Sequence, residues 1–179
     1  MGINRAAIEQ AKGVFQVMEV ASGVAVVAET YWQAKKAAEQ MEVTWEEVPL
    51  GGMSSADIRA DYEQALNSEE GLTGTDEGDL DAGFAAADHV LESQYWTPFL
   101  SHAPMEPMNA VVDIKEGRAD VWSGTQGPVA AQGLVARFSG LEPSKVRVHQ
   151  TYVGGSFGRR GTLTHTVEAT EIAVASGTP

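Results

Sequence analysis

No cysteine occurs in the 179-residue chain. That excludes a disulfide, a cysteine-ligated zinc and an iron–sulfur cluster held by the chain itself, so any electron carrier must sit elsewhere. Basic residues are also scarce: 12 Lys and Arg stand against 25 Asp and Glu, a formal charge of −13. Such a surface repels phosphate backbones and anionic membranes, which argues against nucleic-acid binding. No stretch is apolar for long enough to span a bilayer, and no basic flank followed by an apolar run opens the chain, so it carries no address. What is present is a hydrophobic content of 43%, enough for a packed core in one domain or two small ones.

Residues 3–12 read as a short helix or an incomplete lead-in, ended by Gly13. Two strands follow, 14–20 with weak alternation and 24–28 as a continuous apolar run, separated by the Ser22-Gly23 turn. Thr30 with Gln33 predicts a capping box for a helix whose Ala34, Ala37, Ala38 and Met41 share a face, and 43–48 returns as a strand. If strands 24–28 and 43–48 are parallel, the crossover between them is right-handed. Ser55 caps a second short helix with Ile58, Tyr62, Ala65 and Leu66 on one side. The stretch 67–82, rich in Gly, Ser, Thr and carboxylates, reads as a solvated acidic linker, and its spacing fits no twelve-residue calcium loop. A helical turn at 84–88 leads into a strand at 89–96, and Pro98 and Pro104 punctuate a crossing segment. Residues 109–115 and 118–123 form a hairpin about Glu116-Gly117. Pro128 opens a helix that ends near Gly140, 146–153 is a strand, and Thr162 or Thr164 caps a final helix stopped by Gly177.

The densest motif is TYVGGSFGRRG, residues 151–161. Its glycines permit positive φ and bring backbone N–H groups close to a ligand, and a loop of that kind running into a helix suits an anionic cofactor. The plain alternative is a glycine-rich turn with no ligand. A second loop, 124–128, offers Gln126 as an amide donor, as Phe157 in the first offers an apolar wall. Spacing alone favours a structural reading of both, with Gln126 capping the hairpin end and Phe157 filling core. Arg159 and Arg160 either clamp a phosphate or sit on the surface offsetting nearby acid. His102 and Glu106 could be named an acid–base pair, but a satisfied structural histidine is the better reading there, and also for His89, His149 and His165. Ser156 follows Gly155 directly, so the G-x-S-x-G pattern of a nucleophile elbow is not met and a serine hydrolase is not indicated.

Taken together, HAPMEPMNA (102–110), the turn carrying Gln126 and YVGGSFGRR (152–160) resemble the molybdopterin-binding large subunit of the molybdenum hydroxylases. Within the xanthine dehydrogenase and aldehyde oxidase family, the likeness is to the lineage of the isoquinoline 1-oxidoreductase β-subunit. Residues 24–48 resemble the second half of that family's α/β hammerhead. The resemblance implies an α+β chain with three parts: a partial hammerhead over 1–50, an acidic linker with a short helix over 51–82, and the first ββ-α-β-α portion of a molybdopterin-binding domain over 83–179. It further implies molybdenum carried by a molybdopterin cytosine dinucleotide, hydroxylation of an aldehyde or N-heteroaromatic carbon with oxygen from water, and electron transfer to an iron–sulfur subunit. By resemblance, Gln126 matches the glutamine that approaches an oxo ligand of the metal. Gly154, Gly155, Ser156, Phe157, Gly158 and Arg159 fall on the loop beside the pterin, and Arg159 and Arg160 stand where xanthine dehydrogenases have a glycine–lysine pair. The family's glutamate base belongs near the far C-terminus of a much longer subunit. No residue of this chain is therefore assigned as catalytic or as a metal ligand, and Glu106 falls in a different motif. The expectation is a piece of such a subunit that binds no cofactor and is inactive by itself, that could self-associate through an exposed cofactor face, and whose compartment, bacterial cytoplasm or periplasm, is open. The alternatives are a stand-alone, non-catalytic nucleotide- or phosphate-binding module and an assembly module docking a partner through the acidic linker.

Overall fold

The computed structural model describes residues 2–46, 48, 51–68 and 71–179. They divide into two units, one built from the chain up to Thr44 together with Leu100–Pro179, the other from Trp45–Phe99. Among the described residues no helix is long and apolar enough to cross a membrane.

The first unit opens with strand β1 (Gly2–Ile3) and helix α1 (Arg5–Glu9), so the helix expected over 3–12 is only five residues long. Strands β2 (Val14–Val20) and β3 (Gly23–Ala28) pair antiparallel across the Ser22-Gly23 turn. Helix α2 (Tyr31–Ala38) is capped at Thr30, whose hydroxyl accepts the Gln33 N–H at 3.3 Å. The expected box is only half formed, because the Gln33 side chain accepts the Thr30 hydroxyl at 2.8 Å and donates to Glu29 instead of bonding the Thr30 N–H. The expected strand 43–48 is shorter: β4 covers Val43–Thr44, Trp45 and Glu46 are not strand, and Glu47 lies outside the described residues. Its partner is β1, antiparallel, not β3. No parallel crossover therefore joins 24–28 to 43–48. A tight turn brings sequence neighbours together antiparallel, and β3 pairs through it with β2 instead. Ile8, Val17 and Ala37 form a small buried cluster in this layer.

The second unit holds helix α3 (Ser55–Leu66) and helix α4 (Leu80–Ala85). The α3 cap is Ser54, one residue before the expected Ser55. Its hydroxyl accepts the Asp57 N–H at 3.2 Å, and the Asp57 carboxylate accepts the Ser54 N–H at 2.8 Å. Helix α4 begins earlier than the expected turn at 84–88 because Asp79 caps it, accepting the Ala82 N–H at 2.9 Å. Of the acidic linker, Glu69 and Glu70 lie outside the described residues. The strand expected at 89–96 is not formed. A strand needs a ladder partner and the segment has none among the described residues. It is held instead by side chains: Trp96 and Phe99 pack against Tyr62 with ring centroids 6.3 and 6.5 Å away, and Arg59 lies over Trp96.

Back in the first unit, β5 (Ala110–Lys115) and β6 (Arg118–Ser123) form the expected hairpin. Both turn residues have positive φ, 52° at Glu116 and 72° at Gly117, the geometry that matches the right-handed twist of the two strands. Helix α5 (Pro128–Ser139) follows, with Pro128 in its first turn and Gly140 ending it at φ 72°. Strand β7 (Val146–Gln150) lies parallel to β6, and helix α6 (Thr164–Ser176) closes the unit. The strand expected over 146–153 thus stops three residues early. Val112, Ala119, Val121, Val135, Ala136, Val146 and Ala173 form the core between this sheet and its two helices. The hairpin layer is tied to α6 by its turn: Ser22 Oγ donates to Glu168 at 2.7 Å and the Ala21 N–H donates to Glu171 at 3.2 Å.

The parallel pair fixes where a site can lie. Because β6 and β7 run the same way, with Ser123 opposite Gln150, they end at the same edge of the sheet. Each then enters a glycine-bearing loop and a helix start. Ligands of open α/β sheets bind outside the carboxyl ends of such strands.

Candidate cofactor-binding site

Three segments meet at that edge: the Pro104–Pro107 stretch, the loop after β6 and the loop after β7. Arg160 joins them. Its side chain is fully buried, and its guanidinium donates to the carbonyls of Gly155 (3.0 Å), Gly124 (3.3 Å) and Glu106 (3.0 Å) and to the Glu106 carboxylate (2.8 Å). Neither sequence reading of Arg160 holds, since it is neither on the surface nor free to clamp a phosphate. A planar fork with five donors is the side chain suited to so many acceptors at once. Arg159 is half-buried and donates to the hydroxyls of Thr162 (2.5 Å) and Thr164 (3.0 Å). Neither threonine caps α6 as expected. Buried Leu163, at φ 59°, occupies the cap position without a side-chain bond.

Glu106 is the counterpart of Arg160. One carboxylate oxygen accepts the Gly154 N–H at 2.7 Å and the Arg160 bond, and the other accepts the Asn109 amide at 3.0 Å. The Asn109 amide, then the Gly154 N–H and the Arg160 charge, hold the carboxyl below its ordinary range. A carboxylate so engaged is an anchor, and no hydrogen bond links it to His102 among the described residues. Gly154 is required by this contact: a Cβ there would lie 2.6 Å from the Glu106 Cβ.

The loop 154–158 then turns through positive φ at Gly155 (96°), Phe157 (55°) and Gly158 (96°). The N–H groups of Gly155, Ser156, Phe157 and Gly158 meet no acceptor among the described residues. Successive unpaired N–H groups in such a turn form a concavity for an anionic or oxygen-rich ligand. Ser156 donates its hydroxyl proton to Gln126 Oε1 at 2.6 Å and accepts the Arg160 backbone N–H at 3.1 Å. The structure therefore brings Gln126 and Ser156 together, although 30 residues separate them. Phe157 does not fill core; it is 75% exposed, and Met105, Val129 and Tyr152 are exposed with it.

Beneath the site lies a group the sequence did not single out. Ser123 Oγ is 3.2 Å from both His165 Nε2 and Thr166 Oγ1, all buried. His165 is only half satisfied, because its Nδ1 has no partner among the described residues. Burial, and then the charges of Arg160 and Arg159, lower the His165 pKa. The unfolded chain therefore takes up this proton first as pH falls below about 6.5, and stability falls with it. Thermal melts from pH 7.5 to 5 should show a fall in melting temperature that His165→Asn reduces; an identical slope in the variant would remove His165 as the cause. His149 is satisfied as expected, bonded to Asp120 at 2.7 Å and stacked on Trp122 at 4.8 Å on the other face of the sheet.

Residues 63–179 match the family described as the Molybdopterin cofactor-binding domain. The chain belongs to that family. It is 30% identical over 184 residues to the beta subunit of isoquinoline 1-oxidoreductase from Brevundimonas diminuta, a match covering 98% of this chain and 24% of that protein. It is also 30% identical over 138 residues to the xanthine dehydrogenase molybdenum-binding subunit of Escherichia coli, covering 75% of this chain and 18% of the relative. The chain thus spans a quarter or less of those relatives' length. Its fold is that of quinoline 2-oxidoreductase from Pseudomonas putida 86, with TM-score 0.59, 24% identity and coverage of 89% of this chain and 25% of that one. CO dehydrogenase from Oligotropha carboxidovorans shares it at TM-score 0.67 and 20% identity, covering 98% and 28%.

The residues at the sheet edge fit a molybdopterin group. Four unpaired backbone N–H groups, an exposed phenyl and a side-chain amide suit a ligand with many oxygens and ring nitrogens. Glu106 and Arg160 were missed as supports. The signal was present in MEP and GRR, a lone acid and a cation each beside a segment with fixed or freed φ, but only a shared fold shows that they meet.

Proposed function

We propose that this chain is part of the molybdenum-cofactor-binding subunit of an oxidoreductase that hydroxylates an aldehyde or N-heteroaromatic carbon with water-derived oxygen, passing electrons to iron–sulfur clusters of a partner. The cofactor, taken as the cytosine dinucleotide form, supplies the two-electron oxidation and the activated oxygen when bound. The observation that carries this reading is the row of unpaired N–H groups from Gly155 to Gly158 beside the Ser156–Gln126 pair. In it the backbone N–H groups of Gly155, Ser156, Phe157 and Gly158 and the side-chain amide of Gln126 would hold the cofactor by donating to its oxygens, and Phe157 would keep the pocket apolar. Arg159 stands at the edge of this loop and steadies the start of α6. No residue of the chain acts as the base. The reading divides the chain as 1–50 for the end of an α/β hammerhead, 51–82 for a connecting segment and 83–179 for the start of the cofactor-binding domain. Nothing in the comparisons favours a stand-alone nucleotide-binding or assembly module.

The test is made on the assembled protein that carries this chain. Molybdenum should co-purify in stoichiometric amount, and acid hydrolysis of the cofactor should release cytidine monophosphate. Gln126→Ala should lower kcat with a dye acceptor on the order of 100-fold while leaving metal content unchanged, as removal of one preorganised donor does. Absence of molybdenum and pterin sinks the reading; release of another nucleotide corrects only the form of the cofactor.

A further inference from the structure

Gln126 is exposed, yet its side chain is not free to rotate without loss. Its oxygen accepts the Ser156 hydroxyl at 2.6 Å, and its Nε2 has no acceptor among the described residues. The hydroxyl is itself held from both sides, because Ser156 Oγ accepts the Arg160 backbone N–H at 3.1 Å while donating its proton to the Gln126 oxygen. Ser156 is bracketed by Gly155 at φ 96° and Phe157 at φ 55°, which fix where its Cβ points. Gln126 is further tied to the same helical turn through its neighbour: Thr125 Oγ1 donates to the Arg160 carbonyl at 3.4 Å and accepts the Gly127 N–H at 3.0 Å.

We propose that Ser156 is a positioning residue that holds Gln126 with its carbonyl oxygen inward and its amide hydrogens outward, so that Gln126 can act only as a donor. A glutamine amide can present either end, and the two differ in sign: the oxygen would repel an oxo group and the amide would bind it. Ser156 removes that ambiguity before any ligand arrives, which is the preorganisation that makes a donor effective. That the acceptor is an oxygen of the molybdenum cofactor rests on the reading of the site given above; the orientation of Gln126 does not.

The orientation is tested on the 179-residue chain by nitrogen relaxation of the Gln126 side-chain amide, assigned with Gln126→Asn. In the native chain the amide should be ordered. Ser156→Ala should shift the balance of side-chain conformers about 5-fold toward disorder, the worth of one hydrogen bond, and Ser156→Thr should restore order. The backbone amide of Gly154, bonded to Glu106, reports that the loop keeps its place in each variant. A Gln126 amide as ordered in Ser156→Ala as in the native chain overturns the proposal. So does a Gln126 amide that is mobile in both. In the cofactor-loaded assembly, Ser156→Ala should also alter the Mo(V) paramagnetic signal. If Gln126 loses order in Ser156→Ala while that signal is unchanged, the positioning role stands and the cofactor reading of Gln126 fails.

Discussion

Arg160→Met should lower the melting temperature of this chain by on the order of 10 °C, from a loss of about 3–5 kcal/mol. The size follows from what the guanidinium does. It is fully buried, and it satisfies three carbonyls and one carboxylate drawn from three segments. Methionine fills much of the volume but offers no donor, so the carbonyls of Gly124, Gly155 and Glu106 are left without this partner. Leaving buried polar groups unpaired is more expensive than the modest net value of each bond suggests. Arg160→Lys should fall between, since an ammonium keeps the charge but cannot reach all the acceptors with one planar fork. The check is calorimetry on the three proteins. Equal stability of Arg160→Met and the native chain would show that the loops hold together without the guanidinium.

Gly154→Ala should cost about 1–3 kcal/mol and should loosen the loop most where a ligand would touch it. The added Cβ would lie 2.6 Å from the Glu106 Cβ, an atom near the backbone that cannot swing aside as a side-chain end could. Relief requires Gly154 and Glu106 to part. That breaks the 2.7 Å bond from the Gly154 N–H, and with it the paired backbone bond in which the Glu106 N–H donates to the Gly154 carbonyl at 3.0 Å. Hydrogen exchange of the amides at 154–158 should quicken in the variant, and the assembled protein should retain less molybdenum than the native form. Gly133, on an open face of α5 where a Cβ meets nothing within 4 Å, is the control: Gly133→Ala should leave both measurements unchanged or raise stability slightly.

These two variants probe residues whose importance was unevenly legible. The hairpin at Glu116-Gly117, the cap at Thr30, the Pro128 helix and its stop at Gly140 follow from local rules, and the structure has them. The strand at 89–96 does not form, because alternation cannot supply a ladder partner. The pairing of 24–28 was also undecidable locally, since the same apolar run fits a parallel or an antiparallel neighbour. Gly154 was visible as part of a glycine loop, yet its reason, the approach of Glu106, spans 48 residues. Ser156, discounted as a nucleophile, proves to be the partner of Gln126.

The sequence by itself determined the class of chemistry that this chain can and cannot support. Without cysteine it holds no iron–sulfur cluster, with a charge of −13 it is poorly suited to nucleic acid, and its motifs point to a pterin-binding family. Those are properties of composition and short spacing, which survive in any conformation. The tertiary structure alone decided what the charged residues of the motifs are for. Whether Arg160 meets water or four oxygens, and whether Glu106 is a base or an anchor, depends on the parallel pairing of β6 and β7 that carries separate loops to one edge. Burial and hydrogen bonding set the role of a charge, and both are sums over neighbours that are distant in the chain.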